Sequence, residues 1–430
     1  MYFRLISQSY ISGEEAYIVF IMHYFNKNIG DRNILWVYSL LILSLVSCND
    51  NKDEDFPGTP VKESFYLNLD IKPSFELITK ADSDGNNDAE NEAGSYLEHY
   101  MDIANNDFHI AIFNESGDFV TEFKGEEVDY KKENNAQASH LLGIGFKDDD
   151  LKGFPADYKT EEFTVIILAN WRSFTGRDYE TFEGKNIKDD FSGNVFTDND
   201  FYDFSYRDVS ENSWQPSLGA NAVSLMPMMG IGKFKGFAFS AYTGRFTAYV
   251  TVRMLRALAK ITFSLNDKLW KSGFEIGYCK LNKVSSKGKL IPDLSQNENT
   301  FENDGIIDIG LPWDTKTVEK SGPISFVKIG EPGTNPAMTA YVPEMNTSDY
   351  TTSSSDRPLL MAALTLNKVK FKDDKTLEFN DNKGSSPNLF HILRNHHYKF
   401  IVEDISEEGE ITLSYTVCPW DEGSVDIGFH

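Results

Sequence analysis

Hydrophobic and polar positions alternate in short runs along most of this chain, and the period is two. Phe65, Leu67 and Leu69 alternate with polar neighbours in SFYLNLDI (Ser64 to Ile71), as a strand with one buried face requires. Phe108, Ile110 and Ile112 do the same in DFHIAIF; turn residues Asn114 to Asp118 and then DFVTEF follow. That pattern predicts a hairpin with Gly117 available for positive φ. FTVIILAN (Phe163 to Asn170) is a continuous apolar run, suited to the centre of a sheet covered on both faces. Near the end Tyr398, Phe400 and Val402 alternate, SEEGE turns, and Ile411, Leu413, Tyr415 and Val417 alternate again, which predicts a C-terminal hairpin.

The longest signal begins at Thr247. Ala248, Val250, Val252 and Met254 share one parity, while Ala257, Ala259, Ile261, Phe263 and Leu265 share the other. A parity switch near Leu255 predicts a bulge or bend. MLRALAKI also fits a helix locally, but β-branched and aromatic flanks, TAYVTV and TFSL, favour strand. The segments from Ile71 to Asp107 and from Arg177 to Trp214 are polar and poorly periodic and read mainly as loops. Many short strands and few convincing helices predict an all-β chain of β-sandwiches.

The first fifty residues follow a different rule. Ile34 to Val46, ILWVYSLLILSLV, suits the apolar region of a signal peptide and is shorter than the roughly 20 residues a membrane-spanning helix needs. It ends in Leu45-Val46-Ser47-Cys48, which resembles a bacterial lipobox, so lipidation of Cys48 is expected. Met22, followed by Lys27 and Arg32, marks an alternative start with the usual basic leader. Lys52-Asp53-Glu54-Asp55 resembles a signal for the outer face of the outer membrane and reads equally as a solvated tether.

At 430 residues the chain exceeds one ordinary core. The expected division is a signal region over 1–47, a lipidated acidic linker over 48–62, and sandwiches over 63–243 and 244–430. Net charge is −25, which argues against nucleic acid as a partner. The leader holds three basic residues (Arg4, Lys27, Arg32) and three acidic ones (Glu14, Glu15, Asp31), so the acidity belongs wholly to the exported part. Cys48, Cys279 and Cys418 are too few for a disulfide scaffold. Cys279 and Cys418 could pair or stay buried as small hydrophobes.

Candidate chemistry is thin. Asp82-Ser83-Asp84-Gly85-Asn86-Asn87-Asp88 has carboxylates at alternate positions but lacks the glycine placement and closing glutamate of a calcium loop; it reads as a solvated acidic loop, as does Asp148-Asp149-Asp150. His396 and His397 adjoin on a predicted strand and point to opposite faces, so they do not chelate one metal together. Gly230, Gly232 and Gly236 around Lys233 lack the strand-to-helix context of a phosphate cradle. No catalytic, metal or cofactor site is expected, and no enzyme. Asp200 to Asp208, DFYDFSYRD, with Trp214, reads either as an exposed aromatic surface or as loop aromatics tucked over a sandwich edge.

Four segments, with the lipobox, resemble the FimA-type fimbrillin family of type V pili: LMPMMG (Leu225 to Gly230), VRMLRALAKITF (Val252 to Phe263), ILRNHHYKFIV (Ile392 to Val402) and YTVCPWDE (Tyr415 to Glu422). The resemblance implies two transthyretin-like β-sandwich domains after a lipoprotein signal peptide, and a stalk, tip or anchor subunit of a surface fimbria. It implies as partners other fimbrial subunits, joined by strand addition, and the outer membrane through the lipid; a host glycan or protein receptor is the partner that the aromatic cluster of Asp200 to Asp208 would take if exposed. In that family, polymerising subunits lose an N-terminal segment to an arginine-specific protease, and a neighbour's strand fills the groove. Here no arginine lies between Cys48 and Arg172, and Lys80 is the nearest basic substitute. The expectation is a first strand that stays in place, as in a tip or anchor subunit; the alternative is a monomeric glycan-binding surface lipoprotein.

Overall fold

The computed structural model describes residues 64–73, 100–134, 139–191, 201–205, 215–216, 225–241, 243–294, 323–330, 333–345, 358–370, 375–378, 392–407 and 409–419. The leader, Met22, Cys48, the linker, Lys80, Asp82 to Asp88 and Trp214 lie outside these residues.

Ten strands make up the first half: β1 (Phe65–Pro73), β2 (Phe108–Phe113), β3 (Phe119–Lys124), β4 (Tyr130–Asn134), β5 (Ser139–Gly145), β6 (Glu162–Ala169), β7 (Asp203–Ser205), β8 (Met228–Lys235), β9 (Ala238–Ser240) and β10 (Arg245–Arg256). All but β7 belong to one nine-stranded sheet in the order β3-β2-β6-β8-β10-β1-β5-β4, with β9 also on β10. The edge strands β3 and β4 are consecutive in sequence. Residues 125–129 alone join them, and five residues span at most about 17 Å, so the sheet has to fold over on itself. Lys131 of β4 accordingly stands 5.5 Å over the Phe108 ring of β2, and Phe123 of β3 meets Phe146, just past β5, at 5.3 Å. The folded sheet encloses Phe65, Leu67, Leu69, Ile71, Ile110, Ile112, Leu142, Ile144, Val165 and Ile167.

β2 and β6 are buried on both faces, which is why FTVIILAN is apolar throughout. Their outer cover is the segment after Asn170, carrying Trp171, Phe174, Phe182, Phe191, Tyr202 and Phe204, all buried. Of the two readings of DFYDFSYRD, its described part is the tucked one: Tyr202 is fully buried, edge-on to Trp171 at 5.1 Å.

The second half holds β11 (Leu258–Leu265), β12 (Phe274–Asn282), β13 (Lys287–Lys289), β14 (Ile324–Ser325), β15 (Val327–Ile329), β16 (Ala337–Pro343), β17 (Leu359–Leu366), β18 (Val369–Lys370), β19 (Lys375–Glu378), β20 (His396–Ile405) and β21 (Ile411–Pro419). Two five-stranded sheets, β15-β16-β11-β20-β21 and β14-β12-β17-β18 with β19 on β17, share a core of Ile261, Phe263, Cys279, Leu281, Ala340, Leu360, Leu364 and Phe400. The chain is all-β, as its periodicity predicts; among the described residues the α-helices Trp171–Thr175 and Asp267–Lys271 are five residues each. Among the described residues no helix is long and apolar enough to cross a membrane.

The parity switch near Leu255 is a change of sheet. β10 pairs with β1 and β8, β11 with β16 and β20, and Ala257 between them donates its N–H to the Pro227 carbonyl at 2.9 Å. The sheets therefore part at Ala257. β10, which begins just past the division expected at 243/244, completes the first sheet.

Candidate assembly interface

β1 occupies the interior of the folded sheet. It runs parallel to β10 in register from Phe65↔Phe246 to Pro73↔Met254 and antiparallel to β5 from Tyr66↔Gly145 to Ile71↔His140. Alternation places Phe65, Leu67, Leu69 and Ile71 inside, each no more than 3 % exposed. Phe65 sits in a cage of rings: Tyr158 at 5.1 Å, Phe237 at 5.4 Å and Phe246 stacked at 5.0 Å. Burying four such side chains contributes roughly 6–12 kcal/mol as an upper estimate. Without β1, the slot would expose two strand edges and four apolar holes, the arrangement that binds an added strand.

Three of the segments quoted for the resemblance, those holding Pro227, Arg256 and Asn395, meet at the joint between the two halves. Arg256, 2 % exposed, donates its backbone N–H (3.3 Å) and its Nη1 (3.0 Å) to Asn395 Oδ1. Asn395 returns its own N–H to the Leu258 carbonyl at 2.9 Å. Arg394 grips Glu344 with two bonds, Nε to Oε2 at 2.7 Å and Nη2 to Oε1 at 2.6 Å. It also donates to the carbonyls of Leu290 (2.7 Å) and Lys289 (2.8 Å). Leu290, Ile291 and Leu294 pack into the first core, and β13 pairs with β7, so Arg394 ties the two halves together. Sequence reasoning missed Arg256, Arg394 and Glu344 as a cluster; the available signal was charge inside otherwise apolar strand flanks.

A second buried network holds the aromatic cover on the sheet. Asp107 accepts from the backbone N–H of Arg172 (3.0 Å) and Ser173 (2.8 Å) and from the Tyr179 hydroxyl (2.8 Å). Glu122 accepts from Thr181 Oγ1 at 2.6 Å and the Phe182 N–H at 2.8 Å, with His109 Nε2 at 3.5 Å. Burial pushes the Glu122 carboxyl up, but the His109, Thr181 and Phe182 hydrogen bonds outweigh it and the net direction is down. Tyr202 donates to the Glu180 carbonyl at 2.8 Å, and burial drives its pKa up.

The remaining candidates have structural roles. Asp150 Oδ2 accepts the Lys147 N–H at 2.7 Å in a surface turn, and Asp149 pairs with Lys152 at 2.6 Å. His397 is buried with Nε2 3.0 Å from Thr262 Oγ1, whereas His396 is half-buried with Nδ1 2.8 Å from the Arg394 carbonyl. Gly230 and Gly232 lie in β8, where a Cβ would sit 2.6 Å from Val252 and Val250 respectively, and Lys233 pairs with Glu162 at 3.2 Å. Cys279 is a buried free thiol whose pKa burial raises; the Cys418 side chain lies outside the described residues. Among the described residues no three His, Cys, Asp or Glu side chains gather as metal ligands.

No family model matches the chain, and no curated protein does. Solved structures do. The tip fimbrial protein of Porphyromonas gingivalis, truncated at its C-terminus, matches 83% of this chain and 100% of its own at 12% identity, with a TM-score of 0.46. A fimbrial assembly protein of Parabacteroides distasonis matches 84% and 98% at 13% identity, TM-score 0.39. The fimbrial anchor protein of Porphyromonas gingivalis matches 83% and 98% at 9% identity, TM-score 0.29. The structures to which this chain is similar thus include fimbrial proteins of two bacteria.

Proposed function

We propose that this chain is a structural and adhesive subunit of a bacterial surface fimbria. It is exported as a lipoprotein on Cys48 to the outer membrane surface, and its role involves no catalytic step. Its neighbours in the filament are other subunits, joined by strand addition. The observation that carries this reading is β1: a short strand buried between β10 and β5, in a slot that is apolar inside and hydrogen-bonded along both edges. A strand so placed is the kind of element that one subunit can supply to another.

Two features support a tip or anchor position over the stalk. The slot is filled by the chain's own β1, and no arginine lies between Cys48 and Arg172 for an arginine-specific protease to cut. The test is mass spectrometry of fibres sheared from cells that express the protein. The expected result is a low-abundance chain starting at acylated Cys48. An abundant chain with a new N-terminus near Ala81 would make it a stalk subunit, and a chain confined to the membrane fraction, with no filaments, would make it a monomeric surface glycan-binding lipoprotein.

A further inference from the structure

One face of the first sheet carries aromatic side chains where solvent-facing strands usually carry polar ones. Tyr249 (β10), Asn68 (β1), Gly143 (β5) and Tyr130 (β4) form a single cross-strand row, by the pairings Asn68↔Tyr249, Asn68↔Gly143 and Tyr130↔Gly143. Tyr249 is 74 % exposed and Tyr130 50 %. Between them lies a cleft of about 370 Å³, which Asp70, Leu141 and Thr251 from the next row help to line. That volume falls within the range of small-molecule sites, about 300–1,000 Å³. Gly143 makes room for the Tyr66 ring to lie over the sheet beside Tyr130, because a Cβ there would be 2.8 Å from that ring and 3.2 Å from Tyr130 Cβ.

We propose that this cleft is a glycan-binding site that takes an uncharged oligosaccharide laid across the strands from Tyr249 to Tyr130. The proposal rests on the adhesive reading above and names the class of receptor. Exposed tyrosines offer a flat apolar ring with a polar tip, which suits the C–H face and the hydroxyl rim of a pyranose. They stand at the two ends of three inter-strand steps, roughly 14 Å apart, so a chain of several sugars touches both. Between them, Asn68 supplies an amide that donates and accepts, and Asp70 and Thr251 supply oxygens.

Charge selects among glycans. Asp70 is balanced by Lys72 at 2.9 Å, so the cleft has no net charge to hold an anion, and the net −25 of the chain repels sulfated or uronic polymers at long range. Size argues against a protein occupant: a stable protein interface covers about 800 Å² on each partner, and a cleft of this volume is a fraction of that.

Binding is tested by calorimetry of the purified protein with hexasaccharides of α-1,4-glucose, β-1,4-glucose, β-1,4-N-acetylglucosamine and α-mannose, and with heparin as the anionic probe. At least one neutral saccharide is expected to bind. Tyr249→Ala and Tyr130→Ala should each weaken it tenfold or more, Tyr249→Trp should retain it, and Val369→Ala, at an exposed position in the other half, should leave it unchanged. The proposal is overturned if no neutral saccharide binds, if only heparin binds, or if the alanine variants bind as the parent does. Fibres sheared from cells carrying Tyr249→Ala separate the two readings. A variant that assembles normally without binding upholds both. A chain that binds through the tyrosines but is absent from fibres refutes the fimbrial reading alone.

Discussion

The Arg394–Glu344 pair sets the energetics of the joint and can be dissected by substitution. Both side chains are nearly sealed from water, 2 % and 4 % exposed. Arg394→Met strands the Glu344 carboxylate in that environment and removes the donors from the Leu290 and Lys289 carbonyls. Breaking a buried pair by removing one partner costs roughly 3–5 kcal/mol, and the two orphaned carbonyls put this variant at the upper end. Glu344→Leu leaves Arg394 with its two carbonyl acceptors, so it should cost nearer 3 kcal/mol. Replacing both residues exchanges an ion pair for apolar packing, and Arg394→Met/Glu344→Leu should recover at least about 2 kcal/mol relative to the sum of the single variants. Urea unfolding of the compact unit Glu63–His430, followed by far-ultraviolet circular dichroism, measures all four proteins. Additive losses, or a loss below about 1 kcal/mol for Arg394→Met, would refute the view that this pair is a coupled, desolvated tie between the halves.

Three further outcomes follow from the same geometry. Leu67→Ala and Leu69→Ala in β1 each empty a fully buried site and should cost about 2–5 kcal/mol in the same assay; losses under 1 kcal/mol would mean that β1 is not held in its slot. Gly232→Val forces side-chain atoms against Val250, already 2.6 Å from a bare Cβ, and should lower stability by about 1–3 kcal/mol. His140 is held down to about 4 by burial, and among the described residues neither ring nitrogen has a hydrogen-bond partner. The folded state therefore binds this proton less readily than the unfolded state, and stability should fall as pH drops from about 6.5 to about 4. His140→Phe should reduce the slope of the thermal midpoint across that window, where buried His397 also contributes, and an unchanged slope would remove His140 as a cause.

Period-two alternation was enough to place β1, the β2–β3 hairpin, the β10–β11 run and the β20–β21 hairpin, because the buried face of a half-exposed strand is written directly into its residues, and β6 was legible as a continuous apolar run. The change of sheet at Ala257 left a mark as well, since a strand that passes from one core to another has to switch its buried parity. Periodicity settled the all-β class, and composition the acidity. Sequence could not show that β10 belongs to the first sheet, because only its pairing with β1 and β8 joins it there.

Tertiary structure alone decided what the charged and aromatic residues do. Arg394 and Glu344 are fifty positions apart, Arg256 and Asn395 farther still, and no local pattern records such a pairing. The tyrosines of the cleft come from β4 and β10, which lie far apart in the chain; the central place of β1 brings them onto one face. Tyr202 and Tyr249 are both tyrosines in mixed polar surroundings. One is sealed beneath a loop and the other stands in solvent, because which face of a sheet is covered depends on where a distant segment comes to rest.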